Sequence, residues 1–190
     1  MVQSLGHPHV VQHIKSLAVS PFSRHLPAGV TIHYTAGPTL AGCISTMKQT
    51  GLGYHFIIDR DGTIHETSRL DCGTYHAGRA KWNGLSPNRT HLSIALVSWG
   101  KLNDKGLTWA MSEPDSEVER HGHKWHPATP KQEEALLQLC VRLMKEFSIG
   151  AADFCGHSEC ALPAGRKVDI GGTFSITMSE LRKILADSEP

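Results

Sequence analysis

Apolar residues follow two rhythms along this chain. After residue 129 they recur at helical spacing. Leu136, Leu139, Cys140, Leu143, Met144 and Phe147 stand at i, i+3, i+4, i+7, i+8 and i+11, which predicts one buried stripe on a long helix. Thr129, Pro130 and Gln132 mark its start. Threonine can cap, proline suits the first helical position, and Gln132 can reach back to close a capping box. Thr177-Met178-Ser179-Glu180 repeats that box before Leu181, Ile184 and Leu185, and predicts a last helix. Residues 39–50 form a shorter helix, with Leu40, Ile44 and Met47 near the same spacing.

Before residue 100 the apolar runs have strand length. Residues 29–34 read as a strand. Tyr54-His55-Phe56-Ile57-Ile58 and Thr63-Ile64-His65-Glu66 flank Asp61-Gly62, the signature of a hairpin. Residues 92–99 are apolar enough for a central strand, and 154–157 give a short strand after the long helix. Residues 70–88 read as a loop, and 100–128 as a long, charged surface excursion. Residues 1–28, broken by Pro8, Pro21 and Pro27, read as an N-terminal arm packed on a domain that spans 29–190. Strands interleaved with helices, with no repeat and no linker, predict a mixed α/β single domain. Its architecture is a central mixed β-sheet flanked by helices.

Totals narrow the function classes. A chain of 190 residues fits one domain that folds without staples. A net charge of +1 gives no global field for nucleic acid, and no window approaches a membrane span, so neither is an expected partner. The first twenty residues carry no apolar run of signal-peptide length. The expectation is therefore synthesis in the cytoplasm without a signal peptide. Five cysteines lack any CxxC spacing, against both a disulfide framework and a four-cysteine zinc site. Cys140 reads as a core thiol, whereas Cys155 and Cys160 flank His157 and are the one pair that proximity allows to bond.

The candidate chemistry lies at the two ends of the 29–172 stretch. Gly156-His157-Ser158-Glu159-Cys160, followed by Lys167-Val168-Asp169, puts an imidazole, an ammonium and a carboxylate on one Gly/Pro-rich connection. His33 ends the run Val30-Thr31-Ile32, as a residue at the tip of a buried strand would. His33, His157 and Asp169 make a three-ligand zinc set with a fourth position open, and an open position implies hydrolysis. Cys160 is a rival third ligand, because thiolate binds zinc well. It follows His157 by only three residues, where the chain must still turn, so Asp169 ranks above it. His121, His123 and His126, with Trp125, form a second histidine cluster inside the charged excursion, a setting that weighs against a metal there. His55 and His65 read as structural strand residues.

These pieces carry a family resemblance. Thr31-Ile32-His33-Tyr34-Thr35, the stretch from Gly53-Tyr54-His55 to Asp61-Gly62, Tyr75-His76-Ala77-Gly78, Ser93-Ile94-Ala95-Leu96, and Gly156-His157 through Lys167-Val168-Asp169 occur in family order over residues 29–172. The chain resembles the zinc-dependent N-acetylmuramoyl-L-alanine amidases of the type 2 superfamily. That group includes T7 lysozyme-like amidases, muropeptide-recycling amidases and peptidoglycan recognition proteins.

The resemblance implies a zinc groove at one end of the sheet and one Zn2+ held by His33, His157 and Asp169. It implies Lys167 and Tyr54 as catalytic residues and His76 as a groove histidine, and Trp82 and Asn83 are expected to line the same groove. The implied reaction is hydrolysis of the amide between N-acetylmuramic acid and L-alanine in peptidoglycan, as in cell-wall lytic endolysins or antibacterial effectors, after release or secretion by another system. An inhibitor or immunity protein would be a further partner. Two alternatives stand beside it, a cytoplasmic anhydro-muropeptide recycling amidase and a non-catalytic peptidoglycan-binding module. Val97 falls where the recycling branch has a catalytic glutamate, which favours the tyrosine-using branch. Asp169 stands where that branch often has cysteine, so the chain mixes features of both.

Overall fold

Alternation along the strands sorts side chains onto two unlike faces of one sheet. The computed structural model describes residues 10–12, 18–22, 26–102 and 115–188. In chain order the elements are β1 (Val10–Gln12), β2 (Ala18–Pro21), β3 (Gly29–Tyr34), α1 (Leu40–Thr50), β4 (Phe56–Ile58), β5 (Ile64–Glu66) and β6 (Cys72–Thr74). Then come α2 (Pro87–Thr90), β7 (His91–Leu96), β8 (Val118–Arg120), β9 (His123–Trp125), α3 (Pro130–Phe147), β10 (Phe154–Gly156), α4 (His157–Cys160) and α5 (Met178–Ala186). The main sheet runs β1-β5-β4-β7-β3-β10. β4, β7, β3 and β10 are mutually parallel, and β5 is antiparallel to β4. The fold is thus mixed α/β with a central mixed sheet.

One face is dry. Val30, Ile32, Phe56, Ile58, Leu92, Ile94, Leu96 and Phe154 pack on the α3 stripe, which includes Leu136, Leu139, Cys140 and Leu143, and on Leu181 and Leu185 of α5. Each fully buried leucine there contributes roughly 1.5–3 kcal/mol. The α3 capping box forms as the sequence predicts, with Thr129 and Gln132 bonded reciprocally. Gln132 goes further. Its Nε2 donates to the carbonyls of Ile58 and Val97, tying the helix start to the ends of two strands.

The other face is mixed. Ile57 and Val97 meet Cys43 and Met47 of α1, but Thr31, His33, His55 and Ser93 are buried there as well. Buried polar groups need partners. His55 Nδ1 lies 2.9 Å from Ser93 Oγ and its Nε2 2.8 Å from the Cys72 carbonyl, while Thr31 Oγ1 lies 2.9 Å from His91 Nδ1. His55 is a buried, hydrogen-bonded histidine that sits just before β4 rather than within a strand, and His65 is buried on β5.

Several sequence expectations are corrected. The 70–88 loop contains β6, which pairs antiparallel with β2, and the short helix α2. The 100–128 excursion contains the β8–β9 hairpin. Its Trp125 is buried over Gly171 and Gly172, at a separation that leaves no room for a Cβ on either glycine. Ile184 is exposed, so α5 buries a narrower stripe than predicted. Cys155 and Cys160, an allowed but not an expected pair, are free buried thiols. The segment read as an arm supplies β1 and β2, and most of its other residues lie outside the described ones. Among the described residues no helix is long and apolar enough to cross a membrane.

Candidate metal centre

Strand register assembles the site. β3 and β10 are parallel, with Gly156 opposite Ile32. The residue after each is a histidine, His33 within β3 and His157 at the start of α4, so the two emerge level with each other at the carboxyl ends, where open α/β sheets place their ligands. Asp169 returns on the loop after α4. The Ser158 N–H donates to the Asp169 carbonyl at 2.6 Å and holds that loop beside His157.

Three acceptor atoms converge there. His33 Nδ1 lies 3.1 Å from His157 Nδ1 and 3.1 Å from Asp169 Oδ2, and His157 Nδ1 lies 2.9 Å from Asp169 Oδ2. All three residues are buried. Among the described residues this is the group of His, Cys, Asp or Glu side chains close enough to hold an ion. A tetrahedral zinc with bonds of about 2.0–2.1 Å has ligand–ligand edges of about 3.3 Å, close to the distances found.

The outward nitrogens show which tautomers are present. His157 Nε2 is 3.0 Å from the Ala77 carbonyl, which can only accept, so Nε2 carries the proton. His76 Nε2 faces the Pro87 carbonyl at 3.2 Å, which leaves His76 Nδ1 as an acceptor for His33 Nε2–H at 3.0 Å. In the neutral form of each ring, His33 Nδ1 and His157 Nδ1 then both turn lone pairs toward a carboxylate. One proton can bridge one pair of these atoms, whereas a divalent cation screens all three. The donor set fits such an ion.

Electrostatics agree. Burial lowers the His33 pKa from its ordinary value; Asp169 opposes the shift, and the charges of His157 and Lys167 add to it. Burial works against the Asp169 charge, but hydrogen bonding and positive charge from the His157 and His33 rings, when they hold a proton on the inward side, outweigh it and hold the carboxyl well below the usual range, and a cation there would act in the same sense. Burial, with Cys43, Asp169 and Tyr34 adding, pushes the Tyr54 phenol far above its usual value, so it is a neutral donor.

The structure brings together some of the expected residues and not others. The Tyr54 ring lies 5.2 Å from that of His33, centroid to centroid. Lys167 is exposed on the loop that carries Asp169. His76 is buried behind His33 rather than open to a groove. Trp82 Nε1 and Asn83 Nδ2 donate to the Ala152 carbonyl, and Arg182 stacks on the Trp82 ring. Those contacts hold Trp82 and Asn83 at the opposite end of β10 from His157. Cys160 Sγ points back to the His157 carbonyl at 3.5 Å and is not among the converging atoms. Of the second histidine cluster, His126 is buried and His121 and His123 are exposed.

Asn88 and Arg166 escaped the sequence reading. Both act on the Ala77 turn. Asn88 accepts from the Ala77 N–H at 2.8 Å, and Arg166 Nη2 donates to the Ala77 carbonyl at 2.9 Å. The one sequence signal for Arg166 is adjacency to Lys167, and Asn88 stands in the sequence only as the end of the 70–88 loop.

Comparison with known proteins completes the picture. The chain is similar to the solved structure of N-acetylmuramoyl-L-alanine amidase LysC from Clostridium intestinale URNW, 22% identical over 94% of this chain and 98% of that one, with TM-score 0.62. It is similar to the N-acetylmuramyl-L-alanine amidase AmiD from E. coli, solved in complex with the substrate anhydro-N-acetylmuramic acid-L-Ala-D-gamma-Glu-L-Lys. That match is 20% identical over 85% of this chain and 58% of that one, with TM-score 0.63. It is also similar to the Staphylococcus aureus hydrolase AmiA, 15% identical over 97% and 84%, with TM-score 0.65. At these identities the likeness concerns the fold. A comparison with curated protein sequences gives no match. The family model described as N-acetylmuramoyl-L-alanine amidase matches residues 23–172, and by that match the chain belongs to the N-acetylmuramoyl-L-alanine amidase family.

Proposed function

We propose that one Zn2+ sits among His33, His157 and Asp169, in a groove at the carboxyl end of the sheet, and serves the activity of the family. That activity is hydrolysis of the amide between N-acetylmuramic acid and L-alanine in peptidoglycan. The observation that carries the zinc assignment is the convergence of two imidazole Nδ1 atoms and one carboxylate oxygen within 3.1 Å of each other. The intact ligand set also speaks against a module that only binds.

The ion, when bound, supplies a Lewis acid and a water whose pKa falls to about 7. His33 and His157 hold their inward nitrogens unprotonated through the outward hydrogen bonds described above. Lys167, two residues before Asp169, supplies positive charge for the oxygen of the scissile carbonyl. Loss of such a donor typically costs about 10²–10³ in rate. Tyr54, packed on His33, donates its O–H to orient the reacting water.

Polymeric peptidoglycan is the proposed substrate. Val97, where the recycling branch has its glutamate, is fully buried against Ile57, Cys43 and Met47. Soluble anhydro-muropeptide, the kind of ligand in the AmiD complex, is the rival. Mass spectrometry of digested sacculi and of soluble muropeptides decides between them. The expected result is free stem peptides beginning with L-alanine, released faster from sacculi and stopped by a chelator. Glycan fragments, or release that ignores the chelator, would overturn the proposal.

A further inference from the structure

Both histidine ligands lean on one turn. His33 Nε2 donates to the ring of His76, and His157 Nε2 donates to the carbonyl of the next residue, Ala77. The two ligands come from strands far apart in sequence, yet their outer partners are consecutive.

That dipeptide is gripped by another. Asn88 Oδ1 accepts from the N–H of His76 at 3.0 Å and of Ala77 at 2.8 Å, and Asn88 Nδ2 donates to the Gly78 carbonyl at 2.8 Å. One side chain thus binds three successive backbone groups. Its neighbour Pro87 supplies the carbonyl that accepts from His76 Nε2. Gly73 of β6 lets this segment come close, because a Cβ there would strike the Asn88 carbonyl. Arg166 braces the other side, sharing Nη2 between the carbonyls of Ala77 and Arg79 at 2.9 Å each.

We propose that Asn88, through the His76–Gly78 turn, is the positioning residue that fixes the tautomers of both histidine ligands together. The reason is chemical. A carbonyl accepts only, so Pro87 forces the proton of His76 to Nε2, and His76 Nδ1 then forces the proton of His33 to Nε2. Ala77 does the same to His157 directly. A neutral imidazole has one proton, so both inward nitrogens are left bare for a cation. Loss of such outer-shell partners typically weakens metal binding about 10–100-fold. Asn88 touches neither ligand, and its effect reaches both because the turn is shared.

The inference rests on the metal reading above, and its test separates the two. Long-range proton–nitrogen NMR spectra of the full-length, metal-free protein at pH 7.5 read the tautomers, and chelator competition reads zinc affinity. Wild-type protein is expected to show Nε2–H at His33 and His157. Asn88→Ala is expected to turn both rings into tautomer mixtures and to weaken zinc binding about 10–100-fold. Asn88→Asp, which keeps the acceptor and loses the donor to Gly78, is expected to fall between. His76→Gln should preserve the His33 tautomer better than His76→Phe. A ring of either ligand that carries Nδ1–H with a bare Nε2 in the wild type would overturn the inference without any variant, as would wild-type zinc affinity in Asn88→Ala. Nε2–H on both rings in a protein that binds no zinc would support the tautomer assignment and sink the metal reading instead.

Discussion

Two histidine clusters in this chain have similar composition and opposite outcomes. His33 and His157 lie at the carboxyl ends of β3 and β10 and His76 on the turn after β6, and their outward nitrogens all meet acceptors, so two neutral rings point lone pairs inward at Asp169. His121, His123 and His126 lie on and beside the β8–β9 hairpin. There His126 spends both nitrogens on structure. Its Nδ1 accepts from the Trp99 N–H at 3.1 Å, and its Nε2 donates to Asp115 at 2.5 Å. His121 and His123 stay exposed. The lesson is that histidine count does not make a metal site. The direction of the lone pairs does, and carbonyls behind the rings set it.

Removing Asp169 should break the first cluster most severely. Asp169→Ala is expected to lose stoichiometric zinc and about 10³-fold or more in turnover, since the ion supplies several kcal/mol to the transition state. Metal analysis beside a peptide-release assay measures both, and retained zinc would contradict the ligand assignment. Lys167→Gln should lower kcat about 10²–10³-fold with zinc unchanged. Tyr54→Phe is the milder partner of that test, expected to keep zinc and lose about 90% of turnover; full activity would remove Tyr54 from the mechanism.

The structural histidines give the next effect, on stability. Burial lowers the pKa of both His55 and His91 to about 4. Between about pH 6.5 and 4 the unfolded chain takes up protons that the folded chain refuses, so stability falls as pH drops through that window. The slope approaches about 1.4 kcal/mol per pH unit for each histidine. Urea midpoints across the range read it, and a flat profile would mean that these rings titrate normally. Smallest is His126→Ala, which strands the buried Trp99 N–H and should cost about 1–3 kcal/mol with zinc binding and turnover intact.

Legibility in the sequence followed the same division. Long periodic elements were readable because their pattern is local. The α3 stripe, its capping box and the Asp61-Gly62 hairpin formed where predicted. Short elements that depend on distant partners were not. β6 has three residues and exists by pairing with β2, and the β8–β9 hairpin is anchored by Trp125 on two glycines beyond residue 170. In the site, His33, His157 and Asp169 were marked by their strand-end and loop settings. The side of each ring that faces the ion was not marked, because it is set by the carbonyls of Ala77 and Pro87. A carbonyl has no residue type, so its direction leaves no trace in the letters. For the same reason His76 read as a groove residue while the fold places it behind His33.

X-ray absorption at the zinc edge, on protein dialysed against limiting zinc, tests the central claim most directly. The account predicts one zinc per chain with two imidazole nitrogens and a carboxylate oxygen in its shell. It also predicts that the signal is lost in His33→Ala and unchanged in a His121→Ala/His123→Ala double variant. A sulfur ligand in that shell, or a signal that follows the hairpin histidines instead, would contradict it.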